Sequence, residues 1–166
     1  MFDFNKILID GTLSAVLLTA IVLFIGRARP RFFLSKKNVP ADILAAVPPR
    51  TEEEKRQAVL WSIPMLFIML GVPVWSALTF AQQSGAGFGV VFAHTYAVLF
   101  IPFLVDLVII DWLIMNTITP KWVVYPGTEG FAGYKDYTFH LRAHFRGLFV
   151  LLVMSAIVTG GVWLAL

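Results

Sequence analysis

Two histidines four residues apart, His140 and His144, are the first groups in this chain with a spacing that could do chemistry. On a helix, H-x-x-x-H sets both imidazoles on one face, offset by about 40° and about 6 Å of rise. That geometry suits one divalent metal ion, with carboxylates completing its shell. Asp106 and Asp111 are the nearest candidates, at the end of an apolar run. On an ideal α-helix they stand about 140° apart, so only one of them is expected to join the histidines. Glu129 and Asp136 are further oxygen donors from the intervening loop. The same groups have a plainer use, because Asp106 or Asp111 could pair with Arg142 or Arg146 and hold two helices together. No Glu follows the first histidine, so the metalloprotease helix motif is missing. No Glu-x-x-His pair marks a di-iron bundle site.

A second polar pair lies in the apolar runs. Asp10 falls about one turn into the first run and His94 about two turns into the third. Counted from the same side of a membrane they are expected at similar depth, where the carboxylate could orient and charge the imidazole. A third set is basic. Arg27, Arg29 and Arg31, with Lys121, Arg142 and Arg146, could receive the phosphates of anionic lipid headgroups.

These side chains need elements to hold them, and composition says which kind. The chain has 166 residues, of which 58% are hydrophobic and 14% charged. Mean hydropathy is +0.80. A water-soluble fold this short has too little interior to hide so much apolar surface, whereas lipid removes the need to hide it. The absence of cysteine excludes disulfides, thiolate metal ligands and a catalytic thiol. The net charge of +3 arises from basic residues beside apolar runs, which points to a membrane and not to nucleic acid. No cleavable signal peptide is expected, because the first run lacks a basic start and ends in Arg27 and Arg29.

Four runs are long enough to cross about 30 Å of hydrocarbon as helices: residues 7–26, 58–80, 88–115 and 147–166. The fold expected is all-α, a single polytopic domain over 1–166 in which four transmembrane helices form a bundle under a loop cap. Thr51-Glu52-Glu53-Glu54 has the form of a capping box, so the second helix should begin at Glu52. Pro64 and Pro73 inside it free the carbonyls of Leu60 and Met69. Residues 40–47 suggest a short interfacial helix closed by Pro48-Pro49. Residues 122–125 read as extended, Pro126-Gly127 as a type II turn, and Asp136 as the N-cap of the last helix.

Basic residues set the expected orientation. Of 13 Lys and Arg, eight fall in 27–57 and four in 116–146, leaving Lys6 alone outside these loops. The positive-inside rule then places both loops in the cytoplasm and both termini outside. Trp61 and Trp112 near one boundary and Trp75 and Trp163 near the other agree with that placement.

Two loop stretches, from Ala45 through Pro48-Pro49-Arg50-Thr51-Glu52 to Arg56, and from Asp111-Trp112 through Thr119-Pro120-Lys121 and Pro126-Gly127-Thr128-Glu129-Gly130 to Tyr134-Lys135-Asp136-Tyr137, carry a resemblance. Together with four spans they resemble small bacterial four-span integral membrane proteins that have no assigned function. The resemblance implies a topology over most of the chain and a bacterial inner-membrane origin. It implies no activity and no catalytic residue.

No P-loop, dinucleotide fingerprint or nucleophile elbow occurs, and no repeat of 20 to 50 residues is visible. Ala156 and Gly160 form a small-x-x-x-small pair suited to helix packing within the chain or in a homo-oligomer. Three functional readings follow. One is a cytoplasm-facing site at Asp106, Asp111, His140 and His144 for a metal, lipid headgroup or small ligand. Another is an accessory subunit whose loops dock a membrane-protein partner. The third is a proton-linked carrier built on Asp10 and His94.

Overall fold

The computed structural model describes residues 2–166, and every regular element among them is helical. Four helices are long and apolar enough to span a membrane: Phe4–Ala28, Glu52–Ser84, Phe88–Ile118 and Tyr137–Ala165. We label the first α1, the short helix Ala41–Ala46 α2, the second long helix α3, the α-helical part of the third, Phe88–Val105, α4, and the last α5. The first, second and fourth long helices overrun the expected spans by more than a turn in all, and the third by three residues. A capped helix end satisfies its own backbone, so the helices carry on past the apolar residues.

The caps follow the sequence. Asp3 accepts from the Lys6 amide at the start of α1, and Asp136 from the Phe139 amide, 3.0 Å, at the start of α5. Both halves of the capping box at Thr51 form: Thr51 Oγ1 accepts from the Glu54 amide and Glu54 Oε2 from the Thr51 amide. Gly85, at φ 59°, ends α3 in the left-handed conformation that glycine tolerates best.

α3 and α4 each pack on the other three long helices, whereas α1 and α5 are not neighbours. At the end bearing the short 84–87 turn, Ala77, Phe80, Ala81, Val91, Val158 and Val162 form one buried cluster. Elsewhere the helices keep their apolar side chains outward; Phe67, Phe149 and Ile157 are each more than half exposed. That outer surface is what a hydrocarbon solvent requires.

The two long loops meet at the opposite end and build the expected cap around Leu34, Val39, Ile43, Val47, Tyr125 and Tyr134. Asp42 Oδ2 accepts from the Gly133 amide at 2.9 Å, and the Tyr125 hydroxyl donates to the Pro30 carbonyl at 3.2 Å. Gly133 lies so close that an added Cβ would strike the Asp42 carboxylate and come within 2.8 Å of Pro40 Cβ. Residues 122–125 form turns and a bend, not the extended segment expected. The Val123 amide bonds the Pro120 carbonyl at 2.8 Å, a local bond that an extended strand could not make. Pro126-Gly127 makes the expected turn, with Gly127 at φ 82° and the Thr128 amide bonded to the Tyr125 carbonyl.

The main departure from expectation is at the end of the third span. From Asp106 to Ile118 the helix is π-helical, with i→i+5 bonding. The change begins one turn after Pro102, whose missing N–H already breaks the α ladder. It ends at Thr119, at φ 47°, whose amide bonds the Ile114 carbonyl five residues back at 2.8 Å.

Candidate functional site

The π-helix decides which side chains meet. In an α-helix Asp106 and Asp111 diverge. Closing each ring five residues back brings i and i+5 onto one face. Asp106, Asp111 and Asn116 are spaced at i, i+5 and i+10, and all three line one cavity of about 380 Å³ at the loop end of the bundle. The expectation that only one aspartate joins the histidines is therefore corrected. Asp106, Asp111 and His144 each offer a ligand atom, and these atoms lie within 4.8 Å of one another.

α5 supplies the histidines from the facing side. Its close approach depends on Gly147, where a Cβ would come within 2.9 Å of the Phe103 ring. His144 Nε2 is 3.4 Å from Asp106 Oδ2, and His144 Nδ1 is 3.7 Å from Asp111 Oδ2. His144 Nδ1 is also 3.1 Å from the His140 carbonyl. A carbonyl can only accept, so that bond requires Nδ1 to carry the proton. Nε2 then faces Asp106, donating to that carboxylate when protonated and offering a lone pair to a metal ion once that proton is lost. His140 takes a different part from the one expected. Its Nδ1 lies 3.0 Å from Asp111 Oδ2, where it orients the carboxylate instead of completing the ligand group.

The cavity walls are mostly apolar. Val22, Met65 and Ile110 contribute from the long helices, and Phe33, Ile43 and Trp122 from the cap. Tyr125 is also in the wall, and burial pushes its hydroxyl up to about 12, so it remains a donor to Pro30. Asn116 is 1% exposed. Its amide nitrogen donates to the Tyr134 carbonyl at 3.1 Å, and its Oδ1 has no partner. Sequence reasoning missed Asn116; the signal was the five-residue interval Asp106–Asp111–Asn116, which carries no meaning at the α-helical period. Lys135 was missed too. Its Nζ closes the π-helix by donating to the Asn116 carbonyl at 2.7 Å, the Thr117 carbonyl at 3.1 Å and Thr119 Oγ1 at 2.8 Å.

The remaining expected groups are not at this site. Asp10 Oδ2 pairs with Lys6 Nζ at 2.8 Å. His94 is fully buried, 2.9 Å from Ser76 Oγ and stacked on Phe80 at 4.1 Å. No bond joins Asp10 to His94 among the described residues. α1 lies along α4 with Gly11 against Ile101. Arg31 is engaged inside the cap and is not a free lipid contact. Its Nε meets Glu54 Oε1 at 2.6 Å, and its Nη2 donates to the Pro48 and Pro49 carbonyls. Arg27, Arg29, Arg142 and Arg146 are exposed, and no carboxylate pairs with Arg142 or Arg146 among the described residues. Glu129 is exposed, and Asp136 is occupied as the α5 cap, so neither reaches the cluster.

Comparison with known proteins returned no match to a family model, a curated protein or a solved structure.

Proposed function

We propose that this multi-pass membrane protein holds one divalent metal ion at Asp106, Asp111 and His144, with His140 orienting Asp111, in the cavity beneath the loop cap. One observation carries the reading: three ligand atoms from two facing helices lie within 4.8 Å of one another on the wall of a cavity. Ligand atoms on one ion at about 2.1 Å stand about 3–4 Å apart, so modest side-chain movement closes the shell. Two carboxylates this close also favour a cation between them. Three protein ligands leave one coordination position for a substrate, the arrangement of catalytic sites as opposed to structural ones.

By the positive-inside rule the loop end faces the cytoplasm of a bacterial inner membrane and the termini face outward. Arg27, Arg29, Arg142 and Arg146 then lie against anionic headgroups. The carrier reading is not favoured, since no bond joins Asp10 to His94 among the described residues: Asp10 meets Lys6 and His94 meets Ser76.

Elemental analysis of the purified protein tests the metal. About one equivalent of a divalent transition metal is expected in the wild type, falling at least tenfold in a His140→Ala/His144→Ala variant. Equal metal content in the two proteins would remove the proposal.

A further inference from the structure

The three metal ligands are only part of the cavity lining, and the rest has a chemistry of its own. Asn116 Oδ1 is an acceptor, buried and unpartnered, on the same π-helical face as Asp106 and Asp111. One N–H of its Nδ2 donates to the Tyr134 carbonyl, which leaves Oδ1 as the amide atom without a partner. Leaving a buried acceptor unpaired is costly, and a ligand donor would recover that cost. The ion's open position asks for the opposite, a lone pair. A hydroxyl group supplies both a lone pair and a donor. Two adjacent hydroxyls can serve the metal and Asn116, which are about one π turn apart.

The remainder of the wall is mostly apolar, Lys37 and Asn38 of the cap apart, and is formed in part by membrane helices, through Val22, Met65 and Ile110. At about 380 Å³ the cavity is within the size range of small-molecule sites and holds a head with the first part of a chain. We propose that it binds an amphiphile with a glycerol-like diol head, the hydroxyls between the ion and Asn116 and the acyl chain along Val22 and Met65. This rests on the metal reading for one of the two head contacts; the Asn116 contact and the apolar wall stand without it.

The test uses the full chain in phosphatidylcholine bilayers, which carry no hydroxylated head, with thermal unfolding as the readout. Monooctanoylglycerol is expected to raise Tm by about 4 °C near ten times its Kd. Methyl octanoate, with the tail and no hydroxyl, and glycerol, with the hydroxyls and no tail, should each give less than a quarter of that shift. In Asn116→Leu the shift should fall by more than half. Should that variant not fold, Val22→Phe narrows the tail end without touching the polar face and should abolish the shift. An equal shift from methyl octanoate or from glycerol overturns the proposal, as does a full shift in either variant. Chelated protein separates the two readings. A reduced shift after metal removal supports both; an unchanged shift removes the metal from the head contact and leaves the diol site standing. Metal binding with no monooctanoylglycerol shift removes the diol site alone.

Discussion

At the residue scale, the chemistry depends on which atoms are already committed. His144 illustrates this, because the bond from its Nδ1 to the His140 carbonyl selects the tautomer and so decides what Nε2 can do. Asp136 is committed in the same way. The Thr138 hydroxyl donates to its Oδ1 at 2.7 Å and the Phe139 amide at 3.0 Å. These bonds, the hydroxyl first, hold the carboxyl below its ordinary range. A depressed carboxylate contributes stability that is present above its ordinary value and lost as pH falls through the depressed one. Melting curves between about pH 5 and pH 2 should therefore show a destabilising step that Asp136→Asn flattens. An unaltered step in that variant would assign it to other carboxylates.

At the element scale, the third span changes pitch, and its end needs a fastening that an α-helix would not. Lys135 provides it, with three bonds to the last π turn. Lys135→Met keeps the apolar stem and removes the ammonium. We expect a loss of about 1 kcal/mol, or about 2–4 °C in Tm, together with weaker metal retention, because the face bearing Asp106 and Asp111 is no longer anchored. Differential scanning measurements with metal analysis on the same sample check both. This element also marks the limit of what the sequence disclosed. Thr51 and Glu54, Asp136, Pro126-Gly127 and the four apolar runs were legible because each acts through local rules of capping, turn geometry or span length. The meeting of Asp106, Asp111 and Asn116 was not, because it depends on a helical period that side-chain types do not announce. The pairing of Asp10 with Lys6 was overlooked because depth counted from each helix end ignores the partner one turn back on the same helix.

At the scale of the whole molecule, the cap shows that both long loops share one side, through Asp42 to Gly133 and Tyr125 to Pro30. The chain has no cysteine, so single introduced thiols report sidedness without background. In intact bacterial cells, Lys36→Cys and Glu129→Cys should resist a membrane-impermeant maleimide, and Ser84→Cys should react. In inverted vesicles the pattern should reverse. Labelling of Lys36→Cys and Glu129→Cys from opposite sides would contradict the cap itself; labelling of both from outside would invert the proposed orientation and leave the cap intact.

The four spans are unequally bound to one another. Only 6% of the apolar window of α3 is covered by the rest of the chain, against 22% for α1 and 28% for each of the other two. Its ends are fastened, at Glu54 by Arg31 and at Ala77 and Phe80 by the buried cluster, while Pro64 and Pro73 interrupt the ladder between them. Met65, on the cavity wall, belongs to that middle stretch. A guest entering from the oily phase would meet the fewest buried side chains along this span, and its two prolines are where the helix can bend to let it pass.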